Sequence, residues 1–242
     1  MSSLAKSPTA RAAPTAMEIL RGHPILGKLP AKSLEQLATY VTRRRVARGT
    51  VLCAKGDPGT GLMAVVRGTV KISVPTANGH EAVLNVIRAG ELFGEIALLD
   101  GQPRTADAVA MDECELMVIE RRDFLPFVRD QPDIAIKLIE ILCGRLRQTS
   151  EQVEEVMFLG LEPRLAKAVV RLGKFDQTAA KPATFAITQR ELSQMIGMSR
   201  ESTNKQLRAW EKRKWVRLGR GTLTVLNPEA LVEISEEGGN FE

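Results

Sequence analysis

Between Pro132 and about Leu159 nothing in the sequence would stop a helix; Gly144 is the strongest interruption. Ile134, Leu138, Ile141, Leu142, Leu146, Val153, Val156 and Met157 recur there at three- and four-residue steps, the spacing of a helix face. Pro132 suits the first turn, where its missing N–H costs nothing. A helix of about 27 residues would be ~40 Å long, more than a small domain is wide. It either lies along its own domain or offers its stripe to a second copy as a coiled coil, and its length favours the second copy. A length of 242 residues fits two domains as readily as one.

Ahead of this helix the hydrophobic period is different. From Arg43 to Ile119 short alternating runs stand between Gly and Pro: Gly61 to Gly68, Thr69 to Val74, Ala82 to Ile87, Leu116 to Ile119. Period-two runs between turn residues predict an all-β sandwich or barrel. Asn78-Gly79 is a strong hairpin signal. Two short helices are predicted before it, Ala16 to Arg21 and Ser33 to Val41, with Ser33 as N-cap of the second. Residues 1–16, rich in Ala, Ser, Thr and Pro, are expected to be disordered.

Behind the helix, Leu159 to Pro163 reads as a hinge, with a new helix from Pro163 to about Gly173 and a polar loop from Lys174 to Pro182. From Ile187 to Trp210 the pattern is helix, turn, helix. Thr188 and Glu191 make a capping box, Gly197 suits a left-handed turn residue, and Ser199 caps the second helix. Leu192, Ile196, Leu207 and Trp210 are its buried face, which leaves Arg200, Glu201, Asn204, Lys205 and Arg208 pointing outward. Trp215 to Leu226 reads as a hairpin carrying Arg220. Nine Lys or Arg stand against three Glu between Thr188 and Gly221. A basic helix-turn-helix predicts double-stranded DNA as partner, with Arg200, Glu201 and Lys205 at base edges and Ser199, Thr188 and Arg220 at phosphates.

The stretch from Phe93 to Ala106 carries the second chemistry. Gly94 allows close backbone approach, and Glu95 to Leu99 can form one helical turn with free N–H groups. Arg104 offers a fork that matches phosphate oxygens, and Thr105 adds a hydroxyl. Glu95 would repel a bare phosphate and suits a sugar hydroxyl instead. An anion bearing a sugar is a nucleotide.

This stretch resembles the phosphate-binding cassette of cyclic-nucleotide-binding domains in the bacterial CRP/FNR family of transcription regulators: Gly94, Glu95, Ala97, Pro103, Arg104, Thr105 and Ala106 stand where the motif wants them. The helix-turn-helix with Arg200-Glu201 resembles the winged reader of the same family, with Lys205 where Arg is commoner. The resemblance spans roughly residues 17–232. It implies an α+β chain: a β jelly-roll cyclic-nucleotide-binding domain over 17–130, a dimerisation helix and hinge over 131–160, and a winged helix-turn-helix over 161–242. It implies that Glu95 takes the ribose 2′-hydroxyl and Arg104 the cyclic phosphate, with Thr105 at phosphate or base and Ile96 beside them. Arg145 would approach the ligand, and Thr149 and Ser150 would meet the adenine amino group, one from each subunit of a homodimer. Ile72 and Leu84 are either pocket walls or ordinary core. The expected ligand is cAMP, with cGMP as second choice because Thr105 can favour guanine. The operator is expected to be near-palindromic, and RNA polymerase is an expected partner.

Composition adds bounds. The formal net charge of +5 agrees with an acidic partner. Cys53, Cys114 and Cys143 are scattered without a CxxC pair, and the two histidines are His23 and His80, so no metal site, haem or iron–sulfur centre is expected. No nucleophile–base constellation or Walker loop appears, so a non-enzyme is expected. No apolar run reaches the ~18 residues of a membrane span, and a reducing cytoplasm is the expected compartment. A redox or gas sensor on the same scaffold, or a constitutive DNA binder, is the alternative.

Overall fold

The computed structural model describes residues 15–22, 26–76, 81–173 and 182–237. It begins with helix α1 (Ala16–Gly22), a 3₁₀ turn (Leu26–Lys28) and α2 (Ala31–Tyr40). Pro30 precedes α2 and no side chain caps it. Ser33 therefore is not the expected N-cap: it lies inside the helix, buried, where its hydroxyl donates to Gln131 Oε1 at 2.9 Å.

Eight strands follow: β1 (Val41–Val46), β2 (Val51–Cys53), β3 (Gly61–Arg67), β4 (Thr69–Pro75), β5 (Glu81–Arg88), β6 (Leu92–Phe93), then helix α3 (Glu95–Asp100), β7 (Asp107–Ala110) and β8 (Cys114–Glu120). They form two antiparallel four-stranded sheets, β1-β8-β3-β6 and β2-β7-β4-β5. Side chains alternate across each strand. Met63 and Val65 of β3 face the core shared by the sheets, with Val46, Val70, Ile87 and Leu116. Leu62 and Ala64 of the same strand face outward onto a second core, built with Leu20, Leu37, Phe124 and Leu138 from the helices. β3 is buried on both faces and so is nearly continuously apolar. β4 pairs with β5 from Thr69↔Arg88 to Pro75↔Glu81, while the expected Asn78-Gly79 turn lies outside the described residues.

Helix α4 (Arg121–Asp130) leads to α5 (Pro132–Phe158), 27 residues with Pro132 in its first turn, as its sequence predicts. Its apolar stripe divides. Ile134 and Leu138 are buried against the β-rich half, whereas Leu146, Val153, Val156 and Met157 are exposed. The expected single stripe is thus two faces, because past its first turns α5 turns polar side chains such as Arg145 and Gln152 toward its own domain and leaves the apolar ones outside.

Helix α6 (Leu161–Gly173) starts two residues before the predicted Pro163, which takes a first-turn position instead. The polar loop falls on residues 174–181, outside those described. The C-terminal end holds β9 (Ala183–Phe185), α7 (Gln189–Ile196), α8 (Arg200–Lys212), the hairpin β10 (Val216–Gly219) and β11 (Thr222–Val225), and α9 (Pro228–Glu237). Sheet order is β10-β11-β9. Leu165, Val169, Leu192, Leu207, Trp210 and Leu231 form its core. Val86 of β5 packs on this core and Met111, from the turn after β7, is buried in it. The fold is α+β, as expected.

Candidate nucleotide cassette and DNA-reading surface

The cassette is organised by Gly94 and Arg104. Gly94 has φ +85°, which strains any residue with a side chain, and a Cβ there would push Arg104 Nη1 from its place. Arg104 is 6% exposed. Its Nη1 donates to Gly94 O at 2.8 Å and its Nη2 to Gly61 O at 2.6 Å. Its Nε is buried and has no partner among the described residues. Glu95 is 1% exposed. Its Oε1 accepts from Arg145 Nη1, reaching in from α5, and Arg145 Nη2 donates to Leu92 O. Glu95 Oε2 is buried without a partner among the described residues.

These groups surround a cavity of about 80 Å³, bounded by Cys53, Ile72, Glu95, Arg104, Thr105 and Arg145. Gly94, Ile96 and Ala97 also reach it. Burial pushes the Cys53 thiol above its ordinary range, so that wall presents a neutral S–H. A small-molecule pocket is usually ~300–1,000 Å³, so the cavity as it stands is smaller than a nucleotide needs.

The structure does not bring Leu84, Thr149 or Ser150 to this cavity. Leu84 is exposed on β5, where its carbonyl accepts from Gln152 Nε2 at 3.2 Å. It is therefore neither a wall of the cavity nor core in this chain. Thr149 and Ser150 are exposed on α5, and Ser150 Oγ donates to Leu146 O at 3.0 Å. Cys53, and the pairing of Arg145 with Glu95, were not foreseen. A three-residue strand is too short to leave a periodic signal, and no spacing rule links positions 95 and 145.

The exposed side of α5 has its own order. Ile136, Ile139, Cys143, Leu146, Ser150, Val153 and Met157 follow alternating steps of three and four residues, and all seven are exposed, Leu146 by 68%. That is the spacing of a coiled-coil seam.

At the C-terminal end the predicted capping box is present: Thr188 Oγ1 accepts from Glu191 N at 3.1 Å, and Glu191 Oε2 accepts from Thr188 N at 2.7 Å. Gly197 has φ +64°, and Ser199 Oγ accepts from Ser202 N at 3.1 Å to start α8. Leu207 and Trp210 are fully buried. Arg200, Glu201, Lys205 and Arg208 are exposed along α8, and Arg220 is exposed in the hairpin turn. Asn204 corrects the expectation of an outward residue: it is half-buried, and its Oδ1 lies inside without a partner among the described residues. Arg208 pairs with Glu211 at 2.7 Å, and Glu211 Oε1 accepts from Leu218 N at 2.9 Å. The Leu218 N–H, then Arg208, hold the Glu211 carboxyl below its usual range and tie α8 to the hairpin. Between the start of α7 and the hairpin lies a groove of about 390 Å³, bounded by Thr188, Arg190, Arg200 and Gly221.

Residues 43–131 match the family model described as cyclic nucleotide-binding domain, and residues 163–234 match the Crp-like helix-turn-helix domain. The chain is 32% identical over 216 residues, 89% of this chain and 98% of the other, to the cyclic AMP receptor protein of Thermus thermophilus. The chain belongs to the CRP family. Another relative is the CRP-like cAMP-activated global transcriptional regulator of Mycobacterium tuberculosis, 30% identical over 187 residues, 76% of this chain and 84% of that one. Among solved structures, the Thermus thermophilus catabolite activator protein matches with TM-score 0.51 at 31% identity, over 89% of this chain and all of that one. The c-di-GMP-responsive regulator CLP of Xanthomonas campestris matches with TM-score 0.69 at 23% identity, over 81% of this chain and 99% of that one, and shows the common fold. As a CRP-family member the chain is a DNA-binding transcription regulator with a cyclic-nucleotide-binding domain. Among the described residues no helix is long and apolar enough to cross a membrane, and no three His, Cys, Asp or Glu side chains gather as a metal site.

Proposed function

We propose that the protein is a homodimeric regulator switched by cAMP, with cGMP as a weaker ligand, that binds a near-palindromic operator. The observation that carries the ligand reading is the pair of buried unpartnered atoms in the cassette. Glu95 Oε2 is an acceptor that wants a hydroxyl, and Arg104 Nε is a donor that wants an anionic oxygen. A ribose 2′-hydroxyl and a cyclic phosphate satisfy both, and leaving such groups unpaired costs ~1–3 kcal/mol each. Arg145 can keep Glu95 Oε1 while the ribose takes Oε2. In this reading the base extends toward α5, and Thr149 and Ser150 reach its amino group, one from each subunit, only once the ligand and the partner helix are in place.

On DNA, Arg200 suits guanine O6/N7 and Glu201 a cytosine amino group; Lys205 adds a point charge rather than a fork. Ser199, Thr188 and Arg220 are the phosphate contacts in this reading. Two α8 helices must then meet half-sites about 34 Å apart.

Titrating the protein calorimetrically with cAMP and with cGMP tests the ligand. Roughly micromolar cAMP binding, tighter than cGMP, is expected. Heat from neither nucleotide would end this reading.

The seam gives a separate test of the dimer. In a parallel, in-register dimer the two Cys143 side chains face each other; in an antiparallel one they do not. Diamide, which takes up the two thiol hydrogens, should give a covalent dimer on a non-reducing gel, absent from Cys143→Ser. Cys114 is buried and Cys53 lines the cassette, so neither should substitute. Monomer alone after oxidation would count against the parallel seam.

A further inference from the structure

One ion pair with a buried carboxylate belongs to neither site. Glu155, near the end of α5, is 4% exposed, and its Oε1 accepts from Arg171 Nη1 of α6, across the hinge. The hinge itself is sterically open: a Cβ on Gly160 would meet nothing within 4 Å. Side chains therefore set its angle. Arg164 donates to Val156 O at 2.9 Å, Leu159 O at 2.6 Å and Ile196 O at 3.1 Å, joining the end of α5 to the end of α7. Glu155–Arg171 holds the other side. Beyond them, β5 packs against α7, and the Arg88 guanidinium lies 5.5 Å over the Phe185 ring.

We propose that Glu155–Arg171 is a latch that holds the DNA-reading end against the β-rich half while the cassette is contracted, and that these two positioning residues set how strongly the nucleotide stimulates DNA binding. The second clause rests on the function proposed above. α5 carries both anchors: Arg145–Glu95 at the cassette and Glu155–Arg171 at the hinge, ten residues or ~15 Å apart on one rigid helix. The latched posture coexists with a cavity of about 80 Å³, too small for a nucleotide. Ligand entry and release of the latch are therefore events on the same helix.

The chemistry of the pair makes it a switch. A buried carboxylate is tolerable only with its partner, and losing the partner strands the charge. In Arg171→Met the chain can relieve that by swinging α6 away so that water reaches Glu155. Both folded halves survive; the posture does not. By reciprocity, whatever destabilises the contracted, latched state raises both DNA affinity without nucleotide and nucleotide affinity itself.

Hydrogen exchange of the β5 amides facing α7 reads the latch without ligand or DNA. Arg171→Met should exchange faster there at an unchanged melting temperature, and the swap Glu155→Arg with Arg171→Glu should restore protection. Unchanged exchange in Arg171→Met overturns the latch. Fluorescence anisotropy reads the coupling, using a duplex selected from random DNA by the wild-type protein with cAMP. About tenfold tighter binding without cAMP, and a stimulation reduced by the same factor, are expected for Arg171→Met, within the usual range of allosteric couplings. Equal weakening with and without cAMP overturns the coupling role. If exchange responds but wild type binds no cAMP, the ligand reading has failed and the latch stands.

Discussion

Arg104→Leu should weaken nucleotide binding by at least about 30-fold while leaving the fold intact. Among the described residues Arg104 is the only guanidinium from the cassette itself that reaches the cavity, and it is buried there. Truncating a buried, charge-assisted partner costs roughly 2–5 kcal/mol, or about 30- to 5,000-fold in affinity. The loss should fall on the phosphate, so adenosine, which lacks one, should bind wild type and variant alike. Arg104→Lys should recover little, because an ammonium cannot keep Gly94 O and Gly61 O and still present a second donor to the ligand. A calorimetric titration beside a melting curve decides it. Undiminished cAMP binding by a folded Arg104→Leu would place the phosphate elsewhere.

How much of this was legible follows from what each signal depends on. The long helix was readable because 27 residues without a breaker leave few alternatives, and the reading end because capping residues act within one turn. β1 was hidden. As an edge strand its Arg43, Arg44 and Arg45 are all exposed, so no alternation marks it. Ser33 misled because a serine before an apolar run looks like a cap whether or not a distant Gln131 claims its hydroxyl. In the cassette, the conformation of Gly94 and the reach of Arg104 are local and left a motif. Arg145–Glu95 and Glu155–Arg171 join helices that meet only in three dimensions, and a single sequence carries no sign of such pairs. The division of the α5 stripe was invisible for a related reason. Periodicity reports that a face is apolar, not whether its own domain or another copy covers it.

Trp210→Ala should separate the two halves in the opposite sense. Trp210 is fully buried at the end of α8, and its Nε1–H donates to Glu162 Oε1 at 2.9 Å, binding α8 to α6. Replacing a core Trp by Ala typically costs ~3–5 kcal/mol, because the cavity left behind collapses only in part. Here the hydrogen bond is lost as well, although Glu162 keeps Arg213 at 3.5 Å. That is a large share of the ~5–15 kcal/mol that keeps an ordinary domain folded. The damage should stay local, since the β-rich half has its own two cores and Trp210 belongs to neither. Calorimetry should therefore show an early transition for the DNA-reading end ahead of a second transition near the wild-type temperature. Duplex binding should disappear while cAMP titration persists. With the latched posture gone, cAMP should even bind somewhat more tightly, because the ligand no longer works against the docking of α7 on β5. Loss of both activities in one transition would mean that the halves fold as a single unit, and that the hinge transmits stability as well as signal.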